Sequence, residues 1–297
     1  MRLSGSSLRI LTCALVLAGT AAHAASTVAD ADHDLEAAQD IADRSAIDGP
    51  TKAPLVGHAH IELPAGKRFV APGAAARLLR AEGYGLESGI VGMIVPKGAS
   101  GWTAVVAYRP TGYIEEAQAV DWTGDAMLAV LRREQAALNL QRRENGFPEY
   151  TASSWLSPPI YDRNTHRLSW TARMTSPGGA VAWSRTVALC NDGYFTLDVL
   201  GRTADLAGVA NLTNELGARF AFERGKAYED FDPAHVKLAS ESLANLLGDV
   251  DFKRAPRVAS VTSKTSGNGQ AATALACVGC VLGAFLLLGL RKRLRFG

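Results

Sequence analysis

The feature that most constrains this chain is its last apolar run, from Ala271 to Leu290, which is followed at once by four basic residues. A helix of about 20 apolar residues, rising about 1.5 Å per residue, spans a bilayer core of about 30 Å. Such a helix also satisfies its own backbone hydrogen bonds inside lipid. The run therefore predicts a transmembrane helix over residues 271–290, and the basic cluster predicts a cytoplasmic tail over residues 291–297.

The N-terminus carries a second targeting pattern. Arg2 and Arg9 precede a short apolar stretch from Ile10 to Ala18, and small residues follow as far as Ala24. This pattern is typical of a cleavable signal peptide, here residues 1–24, with an uncleaved first membrane helix as the alternative. Because the apolar stretch is too short to span a bilayer, the signal peptide is favoured. The two ends predict a single-pass protein of the bacterial cytoplasmic (inner) membrane, with a periplasmic N-terminal domain and a cytoplasmic C-terminus.

Two short spacings occur inside the predicted membrane helix. Gly279 and Gly283 form a G-x-x-x-G pattern, which lets two helix backbones approach closely and would allow a homodimer; the alternative is that these glycines have no such role, because glycine is common in membrane helices. Cys277 and Cys280 form a C-x-x-C pattern, but the small and apolar neighbours supply no metal or redox context. Helix packing is therefore the function predicted for the two glycines, and none is predicted for the two cysteines.

The formal net charge of +2 does not describe the exported part, because basic residues are concentrated at the two ends. What remains is slightly acidic or neutral, so no nucleic-acid partner is expected. Cys13 leaves with the signal peptide and Cys190 is then the only cysteine outside the membrane, so no internal disulfide is expected there. The predicted partners are the lipid bilayer and an envelope protein, and no cofactor is expected.

Three segments are expected between the signal peptide and the membrane helix. Residues 25–54 are rich in Ala and Asp and predict either a short, poorly packed helix or a disordered segment. Residues 55–253 carry the apolar periodicities of a folded domain. Residues 254–270 are rich in Ser, Thr and Gly and predict a flexible linker, about 20 to 25 Å long on average.

Alternating apolar and polar residues predict an antiparallel sheet in the folded domain. The clearest strand has Leu168, Trp170, Ala172 and Met174 on one face and polar residues on the other. Tight turns join it to strands over 181–190 and 194–200, which makes these three strands antiparallel neighbours. A fourth strand is expected over 150–160 and a hairpin over 90–108.

Helical periodicity and end signals predict four helices, over residues 74–81, 123–145, 203–216 and 233–247. Thr123, Thr203 and Asp232 are the expected N-caps, and Gly217 and Gly248 the expected stops of the last two helices. The predicted fold class is α+β, with an antiparallel β-sheet flanked by helices and a C-terminal transmembrane helix.

A set of spaced residues runs across the exported domain: Leu63, Pro64, Gly66 and Phe69; Gly112, Tyr113 and Ile114; Trp155, Pro159, Tyr161, Asp162, His166, Leu168 and Trp170; Leu200, Gly201 and Arg202; Phe222, Gly225, Tyr228, Asp230 and Phe231. This set resembles a bacterial membrane-anchored family, domain of unknown function 2167, over roughly residues 61–248. The resemblance implies a signal peptide, an exported domain and a C-terminal anchor. It implies no activity and no catalytic residues.

The densest concentration of polar and aromatic side chains around the predicted sheet is the set Trp155, Tyr161, Asp162, His166 and Arg202. Such a set can line a ligand-binding groove. The alternative is structural, in which the tryptophan belongs to the core, Asp162 begins a turn and Arg202 pairs with a carboxylate at a strand end.

Catalytic motifs are absent: there is no G-x-S-x-G, S-x-x-K or H-E-x-x-H pattern and no P-loop. Cys190 and His166 would form a nucleophile and base only if their strands met, and a buried thiol is favoured for Cys190. His58 and His60 point to the same side of an extended strand, but a third metal ligand is missing.

Two functional hypotheses follow from this pattern. The first is a non-enzymatic binding or scaffold module on the periplasmic side of the membrane. The second is an envelope hydrolase with a site near Tyr161, Asp162 and His166. Glu115 and Glu116 are not expected to form its acid–base pair, because adjacent residues of a strand point to opposite faces.

Overall fold

An eight-stranded antiparallel sheet is the centre of the fold. The computed structural model describes residues 33–82, 89–98, 101–116, 124–144, 147–202, 207–243 and 246. The strands are β1 (Ile47–Asp48), β2 (Thr51–Leu55), β3 (Ala59–Leu63), β4 (Lys67–Val70), β5 (Ile90–Pro96), β6 (Trp102–Arg109), β7 (Thr151–Asp162), β8 (Arg167–Ser176), β9 (Gly179–Cys190), β10 (Gly193–Gly201) and β11 (Phe220–Phe222). The helices are α1 (residues 33–45), α2 (Pro72–Ala81), α3 (Gly124–Glu144) and α4 (Ala207–Ala218), with a short 3-10 helix over Tyr228–Asp230.

The large sheet has the strand order β1-β4-β5-β6-β10-β9-β8-β7, and each strand pairs antiparallel with its neighbours. Strands β8 to β10 are joined by tight turns, as the sequence pattern predicts, and β7 is the expected fourth strand, paired with β8. A smaller sheet, in the order β11-β3-β2, packs on one face. The prediction of an α+β fold built on an antiparallel sheet flanked by helices is confirmed.

The two faces of the large sheet bury different cores. On one face the small sheet and α4 cover a core that includes Leu55, Ile61, Phe195 and Val199. On the other face α3 covers β7 to β9, in a second core that contains the four predicted residues of β8. Helices α1 and α2 cover the β4–β5 end of that same face in a third core. The turn between β7 and β8 and the start of β10 therefore lie together at one end of the sheet.

The acidic N-terminal segment is better packed than its composition suggests. Residues 33–45 form α1, and Ala38 and Ala42 on this helix are buried against Leu78, Leu79 and Met93. Small alanine side chains let the helix approach α2 and the sheet closely, which compensates for its low apolar content. The folded part therefore begins before residue 55, the boundary expected from the sequence.

The predicted helix over residues 233–247 is wrong in the part that the structure describes. Asp232 does form the expected cap, since its Oδ1 accepts the Ala234 N–H at 2.9 Å, but the helical turn ends at Val236. The chain then extends, because the Tyr113 N–H donates to the Lys237 carbonyl and the Ala239 N–H donates to the Tyr113 carbonyl. This main-chain pairing with a distant segment overrides the local helical preference.

Several predicted segments lie outside the described residues. These are the signal peptide (1–24), the linker (254–270), the membrane helix with Gly279 and Gly283, the cytoplasmic tail and the Thr203 cap. Among the helices in the described part of the chain, none combines the length and the apolar character that crossing a bilayer requires.

Candidate functional site

The turn between β7 and β8 holds His166 at one end of the sheet. His166 has a φ of +51°, in the left-handed region that residues other than glycine and asparagine adopt uncommonly. Its carbonyl accepts the Leu189 N–H of β9 at 3.1 Å, which fixes the turn to the neighbouring strand. The position of the imidazole is therefore set by backbone contacts as well as by its own partners.

Both ring nitrogens of His166 contact carboxylates. Nδ1 contacts Glu116, and Nε2 lies 2.9 Å from Oε1 of Glu229. The Tyr161 hydroxyl donates to the same Glu116 oxygen at 2.7 Å. Each ring nitrogen of His166 therefore has a carboxylate partner, and the cluster joins three segments of the chain that are distant in sequence.

An aromatic stack covers one face of the His166 ring. Tyr228 stacks on His166 at 4.3 Å between ring centroids, Tyr113 stacks on Tyr228 at 4.5 Å, and Phe231 stacks on Tyr113 at 3.8 Å. The Tyr228 hydroxyl donates to the Ile114 carbonyl at 2.8 Å. Burial raises the pKa of both Tyr161 and Tyr228 well above the usual range, and hydrogen bonds to Glu116 and Tyr113 respectively add to this. Both phenols therefore act as donors that hold the stack in place.

The other residues of the predicted groove lie apart from this cluster. Asp162 accepts the Asn164 N–H at 2.9 Å and the Thr165 hydroxyl at 2.7 Å, and the Thr165 bond is the main cause of its lowered pKa. Trp155 donates its indole N–H to the Gly124 carbonyl at 2.7 Å, at the start of α3. Asp162 therefore stabilises the turn, and Trp155 fastens α3 to β7.

Arg202 lies at the opposite end of the sheet. Its guanidinium donates to the Gly178 carbonyl in the β8–β9 turn at 3.1 Å. Strand β8 separates that turn from His166, and its ten residues span about 30 Å at about 3.3 Å per residue. The structure brings Tyr161 and His166 together through Glu116, but it does not bring Arg202 to them.

Cys190 belongs to a different polar cluster, centred on Asp192. Asp192 accepts hydrogen bonds from the Tyr108 hydroxyl at 2.8 Å and lies 3.1 Å from His58 Nε2. The Cys190 thiol is 3.6 Å from the same carboxylate and is fully buried. Burial raises the pKa of the thiol to about 12. Cys190 is therefore a protonated core residue, and its partner is Asp192 and not His166.

The electrostatics of this second cluster explain how a half-buried carboxylate is tolerated there. Burial alone would raise the pKa of Asp192, but hydrogen bonds from Tyr108 and His58 and the positive charge of Lys226 together hold it below the usual value. His60 pairs separately with Glu223, at 2.7 Å from Nδ1 to Oε1. The two predicted histidines thus bind different carboxylates and do not converge. In the part of the chain with described coordinates, no group of three or more His, Cys, Asp or Glu residues is arranged to hold a metal ion.

Two cavities lie near these elements, and both are small. One of about 80 Å³ is lined by Glu115, Ala239, Ser240, Glu241 and Ser242. The other, of about 10 Å³, is lined in part by Arg167, Phe195 and Phe220. Pockets for drug-sized ligands are about 300 to 1,000 Å³. Neither cavity offers a substrate pocket beside His166.

Comparison with known proteins assigns the chain to a family. A family model described as "Protein of unknown function (DUF2167)" matches residues 47–263. This chain belongs to the DUF2167 family. The match begins at β1 and covers all the strands and helices from there onward, so the family resemblance seen in the sequence is confirmed.

Among solved structures, this DUF2167 chain is similar to the solution structure of the cyanobacterial PsbP protein, CyanoP, from Synechocystis sp. PCC 6803. The sequence identity is 10%, the TM-score is 0.38, and the match covers 60% of this chain and 93% of that chain. A comparison with curated proteins found no match.

The members of the His166 cluster that sequence reasoning missed in this DUF2167 protein are Glu116, Glu229, Tyr113 and Tyr228. Glu116 lies 50 residues before His166 and Glu229 lies 63 residues after it. The position of Glu116 after Glu115 on a predicted strand argues against an acid–base pair of these two residues. In the structure, however, Ile114 and Glu115 are not in a strand. The sequence did offer a signal for the two tyrosines. Tyr113 and Tyr228 both belong to the spaced set that resembles the family, and the fold brings their rings into contact.

Proposed function

We propose that this DUF2167 protein is a membrane-anchored module on the periplasmic side of the cytoplasmic membrane, and that its folded domain binds a partner without catalysing a reaction. The observation that carries the proposal is that the chemically reactive side chains are already engaged inside the domain. His166, Tyr161 and Asp162 each make the internal contacts described above, and the Cys190 thiol is enclosed in a core. A binding module needs a rigid surface, and these contacts supply rigidity.

The location rests on the sequence at the two ends. The expected signal peptide and the apolar run over residues 271–290, followed by basic residues, support export of the domain and retention of the tail. A peptide tag at the C-terminus should be digested by external protease only after spheroplasts are broken, while the folded domain should be digested or labelled in intact spheroplasts. A carbonate wash should leave the full chain in the membrane. Release of the chain without detergent would overturn the proposal.

Binding is tested by crosslinking the full chain in intact cells and identifying what co-purifies after a detergent wash. The expected result is a defined envelope protein that is recovered with the anchored chain and that binds the purified chain directly with a measurable Kd. Failure of every recovered protein to bind the purified chain would contradict a binding role. The matched control is a chain with the same signal peptide, linker and anchor but an unrelated folded domain.

One observation favours the alternative, an envelope hydrolase with a site near Tyr161, Asp162 and His166. The shared contact with Glu116 does bring Tyr161 and His166 to one place. A site that used Cys190 as nucleophile would require a reactive thiol. In a Cys277→Ser, Cys280→Ser background, the Cys190 thiol should react with Ellman's reagent only after unfolding. Rapid reaction in the folded protein would show that the thiol is accessible and would remove the argument against Cys190 as a nucleophile.

A further inference from the structure

The third core contains a surface that is suited to a helix. This surface, the α2 groove, is formed by α2 with β4 and β5, and its buried side chains are those of Val70, Ala75, Leu78, Leu79 and Met93. Helix α1 (residues 33–45) occupies the groove, since Ala38 and Ala42 are buried in the same core. A groove that takes the apolar face of a second helix is a recurring mode of recognition.

Helix α1 fits this groove closely but adds little apolar area to it. Ala38 and Ala42 have 0% and 5% of their surface exposed, and Leu35 and Ile41 beside them are only partly buried. A buried alanine removes one methyl group from water, much less than a leucine does. Helices of about 13 residues are also marginal in isolation, so α1 depends on the groove for its helical form. The contact is therefore weak enough to be exchanged.

Arg68 of β4 holds the C-terminal end of α1. Its guanidinium donates to the Asp43 carboxylate at 2.6 Å and to the Asp43 carbonyl at 2.7 Å. The Arg68 side chain is 22% exposed, and its Nε donates to Asp48 at 3.1 Å. Among the described residues, the two bonds to Asp43 are the side-chain hydrogen bonds that join α1 to the groove. Arg68 therefore recognises an acidic side chain and the last turn of a helix together, which sets the direction of the helix.

Two further properties distinguish α1 from the groove beneath it. The helix carries four carboxylates and one arginine, so an acidic helix lies against a groove that ends in an arginine. The family match begins at residue 47, just after α1 ends. The groove therefore lies in the part of the chain that matches the family, while its present occupant lies outside that part.

We propose that the α2 groove is the docking site for a helix of a partner protein, and that α1 is a displaceable cover that occupies it. The partner helix repeats the pattern of Ala38, Ala42 and Asp43, with two small residues one turn apart and an acid directly after them at its C-terminal end. This inference rests on the proposed binding function, for which it names the surface and the chemistry of the partner. Because α1 is tethered beside the groove, it competes at high effective concentration, so the partner binds tightly only when α1 is loosened.

The first test measures binding of a fluorescent peptide with the sequence of residues 33–45 to the full chain in detergent, by fluorescence anisotropy. Ala38→Asp places a charge at a buried position and should expel α1, so the affinity for the peptide should rise at least about tenfold over the parent chain. Leu35→Ala loosens α1 without burying a charge and should raise the affinity about threefold. His33→Asp introduces the same residue at an exposed position of α1 and should leave the affinity unchanged.

The position of the peptide is tested with two peptide variants on the Ala38→Asp chain. Asp43→Asn in the peptide removes the charge that Arg68 binds and should weaken binding at least about fivefold. Asp40→Asn is the matched control, because the Asp40 side chain is 73% exposed and pairs only within α1, with Arg44. Equal binding of the two variants would place the peptide outside the groove and overturn the proposal. No gain in affinity for either loosened chain, with a cooperative unfolding transition retained, would also overturn it.

The second test uses the envelope protein recovered by crosslinking and separates the groove from the binding function. That protein should bind the Ala38→Asp chain at least about tenfold more tightly than the parent chain, and the peptide should displace it. Equal affinity for the two chains would overturn the groove as the docking site and leave the binding function standing. Dimers formed by the loosened chains and not by the parent would assign the groove to α1 of a second copy and also overturn the proposal. Peptide binding without any recovered partner would instead contradict the proposed binding function.

Discussion

His166 connects three parts of the chain that are distant in sequence, through Glu116, Glu229 and the ring of Tyr228. Replacing His166 with Ala removes the ring from two carboxylates and from the aromatic stack. It also places a Cβ-bearing residue at a φ of +51° without any compensating contact. We expect His166→Ala to lower the free energy of unfolding by about 2 to 4 kcal/mol, measured by urea denaturation.

Two variants separate the contributions to this loss. His166→Gly removes the same contacts but tolerates positive φ, so it should be more stable than His166→Ala by up to about 1 kcal/mol. His235→Ala is the matched control, because the His235 side chain is 80% exposed and contacts Asp232, three residues earlier in the chain. It should cost less than about 0.5 kcal/mol. Equal stabilities of His166→Ala and His235→Ala would show that the cluster does not hold the fold.

The turn between β9 and β10 shows how a backbone contact constrains an element. A Cβ placed on Gly193 would lie 1.9 Å from the Arg109 carbonyl oxygen of β6 and 2.9 Å from its carbon. Because backbone atoms of a paired strand cannot move aside locally, Gly193→Ala should separate β10 from β6. We expect a loss of about 2 to 4 kcal/mol in the free energy of unfolding, measured by thermal and urea denaturation.

Gly217 in α4 provides the control for that substitution. A Cβ at Gly217 meets no atom within 4 Å, and the residue lies inside the helix. Alanine is favoured over glycine in helices by about 1 kcal/mol, so Gly217→Ala should leave stability unchanged or raise it. A similar loss for both variants would contradict the contact with β6 as the cause, because the effect of alanine on the unfolded chain is stabilising.

Strand β8 illustrates what an alternating pattern predicts and what it does not predict. The apolar face of Leu168, Trp170, Ala172 and Met174 is buried as expected. Thr171 on the polar face is also buried, and its hydroxyl lies 2.8 Å from that of Ser184 on β9. Alternation identifies the strand and its apolar face, but only the packed neighbours decide how much of the polar face remains in water.

For the whole molecule, Glu82 at the end of α2 makes stability depend on pH. Burial raises the pKa of this carboxyl group from 4.5 to about 7. Because the folded state binds the proton more tightly than the unfolded state, the associated stability is complete below about pH 4.5 and is lost as the pH rises towards 7. Above that pH the fold carries a half-buried negative charge at a helix C-terminus, where the helix dipole also disfavours it.

Glu82→Gln removes this charge and should change the pH dependence. At pH 8 we expect the free energy of unfolding to rise by about 1 to 3 kcal/mol, towards the lower value because the side chain is only half-buried. At pH 4 the variant and the parent should be equally stable. Glu62→Gln, on the exposed side of β3, should change stability by less than about 0.5 kcal/mol. A Glu82→Gln effect of the same size at pH 4 and pH 8 would contradict a titrating group at this position.

The sequence by itself determined the elements whose signals are local. The alternation in β8, the tight turns that make β8 to β10 neighbours, and the long amphipathic α3 all follow from side-chain periodicity and turn residues. The structure has these elements within a few residues of the predicted ends. The spaced residues around Trp155 and Tyr228 were also enough to identify the family.

Only the tertiary structure decided which distant residues meet. The segment over Lys237–Ala239 is extended because Tyr113 pairs with it, and α1 is packed because α2 and the sheet accept its alanines. Glu116 joins His166, while Arg202 lies at the far end of β8. These contacts depend on the free energy of pairing and burial between segments that are far apart in sequence, and that free energy leaves no periodic signal in either segment alone.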